Sequence, residues 1–164
     1  MRRWLAIAGA TVAIAMVAAG CGGKTSSSSS SAPTSSSATA TGGATVAVKS
    51  SKLGAILVDG TGRTLYLFEK DQGPTSSCYG ACAGGWPPDT TNGAPRAGAG
   101  VSASLLGTTT RTDGKTEVTY HGHPLYYFAG DRKPGDTNGE GLKAFGAEWY
   151  VLSAAGNKVE QEGS

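Results

Sequence analysis

The chain has 164 residues, enough for one domain, with 26 glycines, three cysteines and only 7% aromatic residues. Its formal charge of +2 comes wholly from Arg2 and Arg3: the 14 basic residues less these two leave 12, equal to the 12 acidic ones. No basic block or stripe remains as an electrostatic footprint for polyanions, so no nucleic-acid partner is expected.

Residues 1–20 read as a signal peptide. Arg2 and Arg3 form a basic start, Trp4 to Ala19 is an uncharged apolar run, and small residues lead into Cys21. An apolar run of about 16 residues is short for a spanning helix, which needs about 20. Ala18-Ala19-Gly20-Cys21 resembles the lipobox of bacterial lipoproteins, with Ala18 where the usual box has Leu. That resemblance implies cleavage before Cys21, acyl chains on its sulfur and amine, and the bilayer as a partner. A plain secreted protein and an uncleaved anchor are the alternatives.

Residues 21–45 hold the lipidated Cys21 and a tether of Ser, Thr, Ala and Gly. Such a composition buries too little apolar area to offset the entropy of ordering, which predicts disorder. About 23 flexible residues give a root-mean-square reach on the order of 25 Å.

The folded domain spans residues 46–160. Within it Leu65-Tyr66-Leu67-Phe68-Glu69-Lys70-Asp71 recurs as Leu125-Tyr126-Tyr127-Phe128-Ala129-Gly130-Asp131. Gly54 and Gly114, Val58 and Val118, Gly62 and Gly122, and Pro74 and Pro134 agree at the same sixty-residue offset, without a gap. Two copies of one supersecondary unit are therefore expected, at about residues 50–100 and 101–156. Val46 to Val48 and Ala55 to Val58 read as strands, Asp59 to Gly62 as a hairpin turn and Thr64 to Phe68 as the returning strand. Tyr66 and Phe68 fall on one face of that strand, Leu65 and Leu67 on the other, so both faces should be covered.

Gln72 to Gly100 is rich in Gly, Pro, Ser and Thr and needs pinning. A Cys78–Cys82 disulfide and a buried Trp86 would supply it. Ser102 to Leu106 fits either a helical turn or a short strand. Thr108 to Thr112, Lys115 to Tyr120 and Leu125 to Phe128 read as a three-stranded meander, with His121 to Pro124 as a tight turn. A polar loop from Asp131 to Gly141 precedes a last strand, Ala147 to Leu152. No helix-period amphipathic run appears. The expected fold is all-β, a compact sheet or barrel-like domain of two related meanders.

The paired Y-x-F-x-x-D motifs, the Cys pair before Trp86-Pro87-Pro88, Pro134 to Gly139 and the closing Trp149-Tyr150-Val151 together resemble one family. It is the bacterial predicted lipoprotein family with the Yx(F/W/Y)xxD motif, also described as a secreted repeat of unknown function. The resemblance covers roughly residues 50 to 155. It implies an extracytoplasmic, lipid-anchored repeat domain and supplies no reaction and no catalytic residues.

The residues carry few chemical candidates. Tyr66, Phe68, Asp71, Tyr126, Phe128 and Asp131 suit a ligand platform, but recurring positions more often serve packing, with each Asp capping the turn after its strand. Outside the cytoplasm, Cys78 and Cys82 read as a structural disulfide. His121 and His123 form an H-x-H pair of the kind a copper or zinc site uses, yet two nitrogens are too few. Asp131, Asp136, Glu117 or Glu148 would have to add a ligand. The acidic stretch Asp131 to Glu140 fails the EF-hand pattern, placing Asp136 sixth and Leu142 twelfth. Asp71 and Asp131 across a pseudo-twofold would suit glycoside chemistry only at about 5 to 9.5 Å. The expected function is therefore a non-catalytic binding or structural module of the cell envelope, with metal handling as the rival and a hydrolase third.

Overall fold

The computed structural model describes residues 42–160. Residues 1–41 and 161–164 lie outside the described residues, and with them the expected signal peptide, Cys21 and most of the expected tether. The strands are β1 (Thr45–Ser51), β2 (Gly54–Asp59), β3 (Tyr66–Phe68), β4 (Arg96–Ala97), β5 (Leu106–Thr110), β6 (Thr116–Tyr120), β7 (His123–Pro124), β8 (Leu142–Ala144) and β9 (Ala147–Val151). They form three small sheets, ordered β2-β1-β4, β3-β9-β8 and β5-β6-β7. The fold is all-β as the sequence suggests, but no barrel closes.

The returning strand of repeat 1 does not stay with its hairpin. Thr64 bridges Val58 and Leu65 N–H donates to the Leu57 carbonyl. From Tyr66 onward the chain leaves β2 and pairs with β9, Phe68 opposite Trp149 and Tyr66 opposite Val151. The second motif behaves alike. Tyr126 bridges Pro88, and the N–H groups of Tyr127 and Ala129 donate to the carbonyls of Pro87 and Gly85. Each motif strand thus takes its partner from the closing segment of the other repeat. At the centre Tyr66 and Tyr126 exchange both backbone hydrogen bonds, at 2.8 and 3.0 Å. A pseudo-twofold axis passes between them, and the repeats are intertwined rather than side by side.

The repeat alignment needs one correction. Leu65 donates to Leu57 but Leu125 donates to Val118, so β2 and β6 correspond at an offset of sixty-one. The turn at Asp59–Arg63 is one residue longer than the two-residue turn His121-Gly122, whose positive φ values of 51° and 81° make it a type I′ hairpin. The third meander strand is accordingly His123–Pro124 rather than Leu125 to Phe128.

Alternation on β3 divides the core as expected. Tyr66 and Phe68 join a cluster with Ile56, Val58, Trp86, Tyr126, Trp149 and Val151. Leu65 and Leu67 join the other, with Val46, Leu57, Val118, Tyr120, Leu125 and Leu152. The Gly/Pro-rich loop is pinned by the Cys78–Cys82 disulfide and by Trp86, which is 2% exposed. It departs from expectation in a short helix, α1 (Ala81–Gly85), which carries Cys82, and in β4, which pairs in parallel with β1. Ser102 to Leu106 resolves as a 3-10 turn, Ala103–Leu105, leading into β5.

Candidate functional site

The motif residues meet at the pseudo-twofold. Tyr66 OH donates to Asp131 Oδ2 at 2.7 Å, and Tyr126 OH donates to Asp71 Oδ2 at 2.7 Å. The other oxygen of each carboxylate holds its own loop. Asp71 Oδ1 accepts from Ser77 N–H and hydroxyl, both at 2.7 Å, and Asp131 Oδ1 accepts from Asn138 N–H and Nδ2 at 3.0 and 3.1 Å. Turn capping is thus half of each aspartate's role, and the cross-repeat phenol is the other half. Burial pushes both carboxyls above the usual range, and it drives both phenols far above theirs. Each Tyr–Asp contact therefore keeps a protonated donor.

Four rings form a column between these pairs. Phe68 stacks on Trp149 at 4.0 Å, Trp149 on Trp86 at 3.9 Å, and Trp86 lies 4.4 Å from Phe128. Tyr126 stands edge-on to Trp149 and Tyr66 edge-on to Trp86. Gly139 closes the loop against this column: a Cβ there would fall 2.7 Å from the Trp86 ring.

Around Tyr126 the symmetry breaks. Arg111, whose side chain is fully buried, donates to Glu117 Oε2 at 2.9 Å, to Ser76 Oγ at 2.6 Å and to the Cys78 carbonyl at 2.6 Å. Ser76 in turn lies 2.6 Å from Tyr126 OH. The positions matching Arg111 and Glu117 in repeat 1 are Ser51 and Ile56, by strand register. Glu117 Oε1 is buried without a partner, and burial raises the Glu117 carboxyl to about 7 against the pull of Arg111.

The two histidines part company. His121 is exposed in the turn and His123 lies on β7; their ring centroids are 6.4 Å apart at 73°. His123 shares a cleft of about 550 Å³ with Asp71, Phe68, Glu69 and Lys158. Burial, with His121 alongside, holds its imidazole below the ordinary range. Among the described residues no three His, Cys, Asp or Glu side chains are placed to hold a metal ion. Of the further carboxylates considered, Glu117 pairs with Arg111, Glu148 lies against Tyr150, and Asp136 accepts from the N–H groups of Arg132 and Lys133.

A family model described as a secreted repeat of unknown function matches residues 47–89 and 107–153. The chain belongs to this family. No curated protein and no solved structure matches it. Membership in the secreted repeat family places the domain outside the cytoplasm.

The two matches also show what the sequence reading missed. Each secreted repeat ends three or four residues past a tryptophan, Trp86 or Trp149. These are equivalent closing residues of the two repeats, hidden because the Cys loop and the acidic loop differ in length. Arg111 went unnoticed too. A lone arginine before Thr112-Asp113-Gly114 reads as a solvated turn residue, and only the fold turns it inward.

Proposed function

We propose that the protein is a non-catalytic binding or structural module of the cell envelope, held to the outer face of the membrane by lipid on Cys21. The observation that carries the non-catalytic half is the use of the motif. Asp71 and Asp131 each accept three hydrogen bonds from the protein itself, and the tyrosines and phenylalanines of both motifs pack in one core. These are keystones of the fold, with three of the roughly four acceptor sites of each carboxylate taken by the protein itself. The lipid half rests on Ala18-Ala19-Gly20-Cys21 behind a basic, apolar leader. Growing cells with a clickable palmitate analogue tests it. Label on the wild-type chain, lost together with membrane association in Cys21→Ala, is the expected result. An unlabelled wild type released into the medium would leave a plain secreted protein.

A metal-handling reading draws on one observation: His123 and Asp71 line the same cleft, and the imidazole of His123 makes no hydrogen bond among the described residues. Copper or zinc would bind through His121 and His123 with Asp71 as the carboxylate only after these side chains move together, since they are not placed to hold a metal ion as they stand. Titration with Cu(II) and Zn(II) decides it. Stoichiometric binding abolished in the His121→Ala/His123→Ala protein supports the reading, and unchanged heats in that variant end it.

A further inference from the structure

The pseudo-twofold supplies an internal comparison that points to a ligand. In repeat 2 the space between the end of β5 and the loop after the first motif is filled by the Arg111 guanidinium, bonded to Ser76 and to the Cys78 carbonyl. The matching space lies between the end of β1 and the loop after the second motif. There Ser51 stands where Arg111 stands, because Ser51 opposes Gly54 as Arg111 opposes Lys115. Thr137 matches Ser76, since Asn138 and Ser77 make the same bonds to their aspartates. A hydroxymethyl group in place of a guanidinium leaves the space open. It is a cleft of about 390 Å³ lined by Lys49, Ser50, Ser51, Lys52, Pro134, Gly135, Asp136, Thr137 and Asn138.

The rim of this cleft is cationic where its twin is not. Lys49 and Lys52 correspond to Thr109 and Thr112, and Arg132 and Lys133 on the opposite loop to Gln72 and Gly73. Among the described residues none of these four cations joins a salt bridge. The Lys49 ammonium leans over the loop, within 4 Å of where a side chain on Gly62 or Gly135 would begin. The one carboxylate on the lining, Asp136, turns Oδ2 onto the N–H groups of Arg132 and Lys133 at 2.9 Å each. Ser50 and Thr137 add hydroxyl donors, while Ser51 Oγ caps its own turn, donating to the Gly54 carbonyl and accepting from Leu53 N–H at 3.0 Å each. Clustered cations on a chain that balances its charge elsewhere repel one another, and a bound anion relieves that repulsion. Point-charge ammonium groups with hydroxyls suit a tetrahedral oxyanion.

We propose that the open cleft between β1 and the 132–138 loop binds a phosphate group, through Lys49 and Lys52 with Ser50 and Thr137. This rests on the reading of the chain as a binding module and gives that module a ligand class. It is independent of the lipid anchor, whose labelling test stands apart.

The test is isothermal titration of the purified full-length protein in low salt with three probes: inorganic phosphate, poly(glycerol phosphate), and vesicles of phosphatidylglycerol against phosphatidylcholine. Binding of inorganic phosphate and of the phosphate-bearing probe that supplies it in the envelope is expected, each competing with the other. Lys49→Ala/Lys52→Ala, at exposed positions, should weaken it at least tenfold without moving Tm. Ser51→Leu fills the cleft while leaving both lysines, and it should abolish phosphate binding. Polymer or vesicle binding that persists in Ser51→Leu and ignores inorganic phosphate would overturn the site in favour of diffuse surface charge. Absence of binding to all three probes would overturn it outright. Which of polymer and vesicle binds more tightly identifies the source of the phosphate.

Discussion

The phenol of Tyr66 donates a 2.7 Å hydrogen bond to the carboxylate of Asp131, 65 positions away in the other repeat. Its symmetry mate, Tyr126 to Asp71, has the same length. A motif that recurs for packing within one repeat would bond its own Tyr to its own Asp. Here the bond crosses, and so do the strand pairing of Phe68 with Trp149 and the contact of Phe128 with Trp86. Recurrence of Y-x-F-x-x-D is thus the signature of a reciprocal clasp.

A clasp of this kind predicts that neither half folds alone. Residues 42–104 lack the partner of β3, and residues 105–160 lack that of the second motif strand. Each fragment should give an unfolded spectrum by circular dichroism. An equimolar mixture should recover sheet signal if association offsets the lost chain connection.

The Arg111–Glu117 pair should show strongly non-additive substitutions. Glu117→Ile leaves the buried guanidinium with only the longer contact to Asp113 Oδ2, at 3.5 Å, as an ion pair, and should cost about 3 kcal/mol. Arg111→Ser/Glu117→Ile copies repeat 1, where Ile56 is fully buried. It should be close to neutral or stabilising relative to wild type by urea melts.

Asp89 is 3% exposed with Oδ2 unpartnered, and its carboxyl is raised to about 6, chiefly by burial and then by Asp59 nearby, against its hydrogen bond from Tyr127. The folded state therefore binds this proton more tightly than the unfolded chain. The stability from that proton is full below the ordinary carboxylate pKa and lost as pH rises through about 6. Comparing wild type with Asp89→Asn by urea melts from pH 4 to 8, the wild type should lose stability relative to the variant as pH rises.

The Cys78–Cys82 bridge closes a loop with a sequence separation of 4. Chain entropy then gives about 2 kcal/mol or less. Cys78→Ala/Cys82→Ala should remain folded with a modest drop in Tm, since Arg111 and Trp86 also hold the loop.

Much of this was legible in the sequence, for local reasons. Side-chain alternation put Tyr66 and Phe68 on one face and Leu65 and Leu67 on the other, and an even cysteine pair outside the cytoplasm marked the disulfide. What stayed hidden depends on contacts between distant residues. Nothing local to Tyr66 says that its β-partner is Val151 rather than its own hairpin, and nothing near Arg111 says that it reaches Ser76. The one-residue difference between the Asp59–Arg63 and His121-Gly122 turns was masked by Gly62 and Gly122, which still align. The open cleft was invisible for the same reason. A serine at position 51 matters only when its counterpart is known to be a buried arginine.

A double-mutant cycle tests the clasp most directly. Tyr66→Phe and Asp131→Ala, each costing about 1–3 kcal/mol by urea denaturation, should show a cross-repeat coupling of about 1 kcal/mol or more. Tyr66→Phe and Asp71→Ala, within one repeat, should show clearly weaker coupling. Coupling confined to the same-repeat pair, or absent from Tyr66 and Asp131, would contradict the clasp and return the motif to the search for a ligand site.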